Sequence, residues 1–210
     1  GLDHLVFERG AVGHHISLYP PYMTFLSTKE VLELDGFALT ITEDKPTRRQ
    51  YLAYLARLVA DRKLPLRPYT TVEGVTRDES TGLFTVRTWR AGRPVEFHTA
   101  RHVVVACGAF DHPRRLHVPG EELAKVHHRF VEAHGYVGQR VLVVGGRNSA
   151  IETALTLYRA GAQVALSYRG IEFTGRGIKY WLLPDIENRL KKGEIVGYLG
   201  TEVHRIGWQS

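Results

Sequence analysis

The clearest pattern of apolar positions lies in the second half of the chain. Residues 141–144 (Val-Leu-Val-Val) form an apolar run without polar alternation, which predicts a strand covered on both faces. The turn Gly145-Gly146-Arg147 follows, and then a helix whose apolar positions recur at helical spacing. Ser149 and Glu152 have the spacing of a capping box, and Gly161 is placed to end the helix. A further apolar strand over residues 163–168 completes a predicted βαβ unit.

The first half of the chain shows different patterns. Thr47 is a predicted N-cap for an amphipathic helix that ends near Arg62. Short alternating segments separated by turns predict a three-stranded β-meander, followed by an apolar strand; these strands cover residues 70–77, 83–89, 95–99 and 102–106. Residues 108–120 contain prolines and glycines typical of a domain boundary. The predicted fold class is therefore α/β with an inserted meander.

Composition narrows the function classes. The chain has 210 residues, 43% hydrophobic and 24% charged, as expected for a soluble globular protein. The net charge of +6 is spread out and no nucleic-acid-binding module is visible, so we expect a basic surface that suits anionic cofactors and no nucleic acid partner. No apolar stretch predicts a membrane span, and no signal peptide is visible, so the expected location is cytoplasmic.

The cysteine and the histidines do not predict a catalytic or metal-binding site. The one cysteine, Cys107, follows a predicted strand, where a cysteine is expected to be a small buried hydrophobe. It excludes an intrachain disulfide and a cysteine-rich zinc site within these residues. The eleven histidines show no convincing set of ligand partners, so no metal site is predicted.

The glycine turn carries the strongest functional signal. In the dinucleotide motif GxGxxG/A, Gly145 and Ala150 hold the first and third positions, and Arg147 stands where the second glycine belongs. A strand, a glycine turn and a helix N-terminus together predict a site for a dinucleotide pyrophosphate. The Arg147 side chain must then point away from the phosphate or reach over it with its guanidinium. A strand–turn–helix that binds nothing is the alternative.

The end of the second strand of such a unit indicates which nucleotide binds. NAD sites carry a carboxylate there and NADP sites an arginine. The residues here are Ser167, Tyr168 and Arg169, which predicts that Arg169 binds a 2′-phosphate and that the nucleotide is NADPH. Tyr168 is either a stacking partner for adenine or a half-buried tyrosine at a strand end.

The start of the chain suggests a second nucleotide site. Residues 5–8 predict a strand that ends in an acid, Glu8, which is the position that binds ribose in such folds. Residues 19–27 are dense in aromatics and prolines, which fits either a pocket for a flat ring system or a loop that plugs the core.

These segments together resemble a known family, the flavoproteins with two dinucleotide-binding domains, in the branch of thioredoxin reductases and flavin-containing monooxygenases. Within that branch the chain is most similar to the YpdA-type bacillithiol disulfide reductases. The residues that carry the likeness lie at 5–10, 19–30, 104–113, 118–123, 145–150, 168–170 and 178–184. The resemblance implies tandem Rossmann-like domains for FAD and NAD(P), both incomplete, over residues 1–114 and 115–210.

The resemblance also implies roles for individual residues. Glu8 would bind the adenosine ribose of FAD, and Val72 would lie near its adenine. Ala106, Cys107 and Gly108 would form the family's ATG-like turn, with cysteine in place of threonine. The NADPH pyrophosphate would be held by Gly145, Gly146, Arg147, Asn148, Ser149 and Ala150, and the 2′-phosphate would face Arg169 and Lys179.

The activity that the resemblance implies is hydride transfer from NADPH to FAD, followed by electron transfer to a low-molecular-weight thiol disulfide. A flavin monooxygenase and a non-catalytic NADPH-binding fragment are the alternatives. The family's FAD glycine loop would precede Gly1, and its C-terminal flavin-contacting element would follow Ser210. We therefore expect a truncated chain that binds FAD weakly or not at all. The expected partner is a small-molecule disulfide substrate, and no association with a membrane is expected. Whether the chain forms a homo-oligomer is not predicted.

Overall fold

The computed structural model describes residues 2–108, 112–175 and 177–208. Residues 109–111 of the ATG-like stretch lie outside the described residues. The chain divides into two compact units, Gly1–His112 and Pro113–Ser210. Among the described residues, no helix has both the length and the apolar character required to cross a membrane.

The described residues of the first unit form two small sheets and three helices. Its strands and helices, in chain order, are β1 (Val6–Phe7), α1 (His14–Ser17), α2 (Lys29–Leu32), α3 (Arg48–Asp61), β2 (Leu66–Arg67), β3 (Thr71–Arg77), β4 (Phe84–Trp89) and β5 (Glu96–Ala100). β1 pairs with β2 in parallel, and β3, β4 and β5 form a separate antiparallel sheet. The predicted meander is confirmed.

Helix α3 begins where the sequence predicts. Thr47 accepts a hydrogen bond from the backbone N–H of Gln50, and the Gln50 side chain accepts one from the Thr47 N–H, which makes a capping box. The helix buries Tyr51, Tyr54 and Leu58. The rings of Tyr51 and Tyr54 stack with centroids 5.5 Å apart, so this helix forms the scaffold of the unit's small core.

The strand predicted over residues 102–106 is wrong. Residues 102–108 have no regular secondary structure, and Val104 and Val105 are 87% and 79% exposed. A strand needs a neighbour to accept its backbone hydrogen bonds, and no strand of the described residues pairs with this segment. The apolar run alone does not indicate whether such a neighbour is present.

The second unit is a parallel sheet with its crossover helices. A short 3-10 helix, His134–Tyr136, precedes β6 (Arg140–Val144), α4 (Asn148–Arg159), β7 (Gln163–Tyr168), α5 (Leu183–Lys191) and β8 (Val196–Leu199). The strand order is β6-β7-β8, all parallel. The predicted βαβ unit and the α/β fold class are confirmed.

Helices α4 and α5 cover one face of this sheet. The core contains fully buried Ile151, Leu155, Leu166, Ile186 and Ile195. The prediction that β6 is covered on both faces is wrong, because Val143 is buried whereas Leu142 and Val144 are 51% and 42% exposed. The helices cover the side of Val143, and the opposite face of β6 is open in the described part of the chain.

Candidate functional site

The glycine turn joins β6 closely to α4. Gly145 has φ +135°, a backbone conformation that side chains rarely adopt, and its N–H donates to the carbonyl oxygen of Ser167, 2.9 Å away. A Cβ at Gly145 would lie 3.1 Å from the Cβ of Ala150, which is tighter than ordinary packing. Gly145 and Ala150 therefore allow the helix start to approach the strand end.

The N-terminus of α4 is open. Arg147 is the N-cap residue, and no side chain of the described residues caps the helix. The predicted capping box is wrong, because the helix already begins at Asn148, so Ser149 lies inside it rather than at the cap. The first turn holds no acidic residue, so its backbone N–H groups and the positive end of the helix dipole can accept an anion.

A stacked pair of rings supports the turn from the side. The Tyr168 ring at the end of β7 stacks on Phe173, with centroids 5.4 Å apart and planes 2° from parallel. A Cβ at Gly146 would lie 2.6 Å from the Tyr168 Cγ, and one at Gly170 would lie 2.6 Å from its Cε1. Two glycines thus leave room for one ring. Sequence reasoning missed Phe173, whose spacing from Tyr168 gives no local signal, and it marked Gly170 only through the family resemblance.

Two arginines follow the ends of neighbouring strands. Val144 of β6 is in register with Ser167 of β7, so Arg147 and Arg169 both lie beyond the carboxyl edge of the same parallel sheet. Both are exposed. No carboxylate stands at the end of β7, where Ser167 is buried and its hydroxyl bonds to Thr201 Oγ1 at 3.0 Å. Two exposed cations thus follow the ends of β6 and β7.

Lys179 contacts the first turns of α4. Its backbone N–H donates to Asn148 Oδ1 at 2.8 Å, and its ammonium lies 2.6 Å from Glu152 Oε1. The ammonium also lies 5.7 Å from the centroid of the Trp181 ring. The family resemblance implies a 2′-phosphate contact for Lys179, but it did not reveal these partners, which are 27 and 31 residues away in the chain.

In the first unit, Glu8 directly follows β1, one residue beyond the observed strand. Its Oε1 accepts the N–H of Gly10 at 2.7 Å, and its own N–H donates to the Arg67 carbonyl at 3.1 Å. The second carboxylate oxygen is not needed for that turn and is suited to a ribose hydroxyl. Val72 lies on β3 and is 42% exposed.

The ATG-like residues lie in the irregular segment after β5. Gly108 has φ +65°, and a Cβ there would lie 3.1 Å from Nδ1 of His15, so glycine suits this turn. Ala106 and Cys107 are exposed. The prediction of a buried Cys107 is wrong, because the strand that would have buried it does not form.

A buried carboxylate organises the start of the second unit. Glu121 accepts hydrogen bonds from the backbone N–H groups of Leu116 and His117, each at 2.8 Å. These hydrogen bonds lower the pKa of Glu121, and the bond from Leu116 has the largest effect. The nearby charges of His128 and Arg115 lower this pKa further. His117 has φ +56°, so the carboxylate stabilises a strained turn. The sequence marked this stretch only through the family resemblance.

Comparisons with known proteins agree with this geometry. A family model described as pyridine nucleotide-disulphide oxidoreductase matches residues 1–209. The bacilliredoxin reductase Bdr of Bacillus subtilis is 36% identical over 206 residues, which cover 98% of this chain and 61% of that protein.

Solved structures show the same relationship. The bacillithiol disulfide reductase Bdr (YpdA) of Bacillus cereus superposes with a TM-score of 0.92 at 38% identity, covering 99% of this chain and 63% of that one. The Staphylococcus aureus enzyme gives 0.87 at 33% identity, with 99% and 62% covered. The chain thus spans about three fifths of the length of these relatives. It belongs to the pyridine nucleotide-disulphide oxidoreductase family.

Proposed function

We propose that the chain binds FAD in its first unit and NADPH in its second, as part of a flavoprotein that reduces a low-molecular-weight thiol disulfide. The observation that carries the proposal is the uncapped N-terminus of α4 together with Arg169, which directly follows β7 where NAD sites carry a carboxylate. Open backbone N–H groups suit a pyrophosphate, and a guanidinium suits a 2′-phosphate. The family match and the names of the Bacillus and Staphylococcus relatives, a bacilliredoxin reductase and two bacillithiol disulfide reductases, support the choice of acceptor.

Each group has a defined task in this proposal. Residues 145–150 bind the pyrophosphate through backbone N–H groups, and Arg169 orients the adenosine end through the 2′-phosphate. In the first unit, Glu8 accepts a hydrogen bond from the FAD ribose, Val72 lies at the adenine, and Ala106 and Gly108 form the turn beside the flavin. FAD, when bound, accepts a hydride from NADPH and passes electrons to the disulfide.

The nucleotide preference is the direct test. We expect the chain to bind NADP⁺ about tenfold or more tightly than NAD⁺ in calorimetry, because one charged hydrogen bond contributes about 1.5–3 kcal/mol. Arg169→Ser should remove this preference. Arg140→Ser is the matched control, since Arg140 begins β6 at the opposite edge of the sheet and is also exposed. Equal affinity of the unaltered chain for both nucleotides would contradict the proposal.

The FAD site is tested by titrating the chain with FAD and following flavin fluorescence. Glu8→Ala should weaken binding about tenfold, as expected for loss of a hydrogen bond to a carboxylate. Glu79→Ala is the control, because Glu79 is an exposed acid in the turn between β3 and β4. An unchanged dissociation constant for Glu8→Ala removes Glu8 from the site.

The reaction type is tested with FAD-loaded protein and NADPH. Oxidation of NADPH should depend on an added low-molecular-weight disulfide and proceed without oxygen. Oxidation that requires oxygen and ignores the disulfide would favour a monooxygenase. Binding of NADPH without any oxidation would make the chain a nucleotide-binding module instead.

A further inference from the structure

Lys179 is attached to helix α4 at two points. Asn148 and Glu152 are four residues apart on α4 and therefore lie on the same face of the helix, one turn apart. Lys179 donates its backbone N–H to the first and its ammonium to the second, at 2.8 and 2.6 Å. The side chains of Lys179 and Glu152 are 23% and 44% exposed.

The residues next to Lys179 differ in burial. Ile178 packs against the core of the second unit, and Leu182, 8% exposed, leads into α5. Tyr180 between them is 83% exposed. The two bonds of Lys179 therefore attach the exposed middle of residues 177–182 to the start of α4.

The contact with Asn148 affects the helix end. An asparagine side chain near a helix start readily accepts hydrogen bonds from neighbouring backbone N–H groups. Here its carbonyl oxygen is already bonded to Lys179, and no side chain caps α4 in the described residues. The interaction thus keeps a competing acceptor away from the N–H groups that would bind a phosphate.

The contact with Glu152 affects the lysine. The ammonium is paired with a carboxylate, so its charge is already compensated before any nucleotide arrives. Arg169, by contrast, is exposed at the end of β7. Arg169 and Lys179, the two cations that the family resemblance assigns to the 2′-phosphate, therefore have different surroundings.

We propose that Lys179, Asn148 and Glu152 form a positioning clamp, and that Lys179 does not recognise the 2′-phosphate. The clamp holds residues 177–182 against α4 and keeps the pyrophosphate-binding end of the helix open. This inference rests on the proposed binding of NADPH and changes the role of one of its residues. It requires that the clamp serve NADP⁺ and NAD⁺ equally, because both carry the same pyrophosphate.

The first test compares the affinities of NADP⁺ and NAD⁺ by calorimetry. Lys179→Gln should weaken both nucleotides by a similar factor of about two- to tenfold, the range expected when one hydrogen-bonded pair is lost. Lys179→Arg, which can keep the pair with Glu152, should restore most of the affinity. Lys191→Gln, at the end of α5, is the control for charge. A loss confined to NADP⁺, or no loss for either nucleotide, would overturn the clamp.

The second test needs no nucleotide. Hydrogen–deuterium exchange of residues 177–182 should be faster in Lys179→Gln and in Glu152→Gln than in the unaltered chain, and the double variant should exchange no faster than either. Unchanged exchange in both single variants refutes the clamp, whether or not the chain binds NADPH. Failure of the unaltered chain to bind either nucleotide refutes the proposed function, while the exchange result still decides on the clamp.

Discussion

Replacing Gly146 by alanine tests how the glycine turn is packed. Gly146 is buried, and a Cβ there would lie 2.6 Å from Cγ of Tyr168, with Cδ2 and Cε2 closer still. Ordinary contact begins near 3.4 Å. The ring cannot simply swing away, because Phe173 stacks on it and Gly170 also lies against it. Either the ring or the turn must therefore move.

The expected cost follows from overpacking. Inserting a methyl group into a filled space costs about 1–3 kcal/mol. For a unit of this size that corresponds to a fall in melting temperature of about 4–8 °C per kcal/mol. The assay is thermal and urea unfolding of the chain by circular dichroism. We also expect weaker NADP⁺ binding, because a displaced turn moves the N–H groups at the start of α4.

Gly146→Ala has a matched control, Gly135→Ala, and a rescue variant, Tyr168→Ala. Gly135→Ala adds the same methyl group where nothing lies within 4 Å, so it should change stability little. A smaller residue at 168, as in Tyr168→Ala, should make Gly146→Ala much less costly than it is beside tyrosine. Equal stability of the Gly146→Ala and Gly135→Ala chains would show that the turn does not pack against this ring.

Two further predictions concern the start of the second unit. Gly120→Ala should lower the melting temperature and speed proteolysis after residue 200, because Gly120 has φ +87° and a Cβ there would overlap the backbone carbonyl oxygen of Ile206; an unchanged cleavage rate would contradict this. Glu121→Gln should make the free energy of unfolding fall less steeply as the pH is lowered into the acid range. Glu122→Gln is the control. Because the folded state lowers the pKa of Glu121 below 4.5, its contribution is present above that pH and is lost on acidification through the lower folded pKa. An acid limb that is identical in both variants would exclude this role.

The elements that the sequence predicted well are those with local signals. Thr47 and Gln50 are three residues apart, and the capping box that they predict for α3 is present. The βαβ order around Gly145 and the meander follow from periodicity and turn residues in the same way. The family resemblance, which depends on motifs spread along the chain, is confirmed by a match over residues 1–209.

The predictions that were wrong depend on contacts between parts of the chain that are distant in sequence. Val104 and Val105 have strand-forming side chains, but strand formation depends on a neighbour that can pair with the segment. The apolar run of β6 did not reveal that only one of its faces is covered. Ser149 and Glu152 have the spacing of a capping box, but the N-cap residue is Arg147, two residues before Ser149, and Glu152 pairs with Lys179 instead.

The departure of the glycine turn from GxGxxG/A has a structural reason that leads to a last prediction. Gly145 makes room for Ala150 and Gly146 makes room for Tyr168, so both glycines serve packing inside the protein. Arg147 follows with φ −112° and ψ −178°, an extended conformation that any residue adopts, and it is exposed. Arg147→Ala should therefore leave the melting temperature unchanged.

The effect of Arg147→Ala on nucleotide binding distinguishes a guanidinium that reaches over the pyrophosphate from one that points away from it. If the side chain reaches over the pyrophosphate, Arg147→Ala weakens NADP⁺ and NAD⁺ alike, by about tenfold or more for a lost charged hydrogen bond. This is the outcome we expect, because Arg147 is the N-cap residue of α4 and the uncapped helix end attracts the same phosphates. Arg169→Ser should affect NADP⁺ alone. Unchanged affinity for both nucleotides in Arg147→Ala would show that the side chain points away, and backbone N–H groups would then hold the pyrophosphate without it.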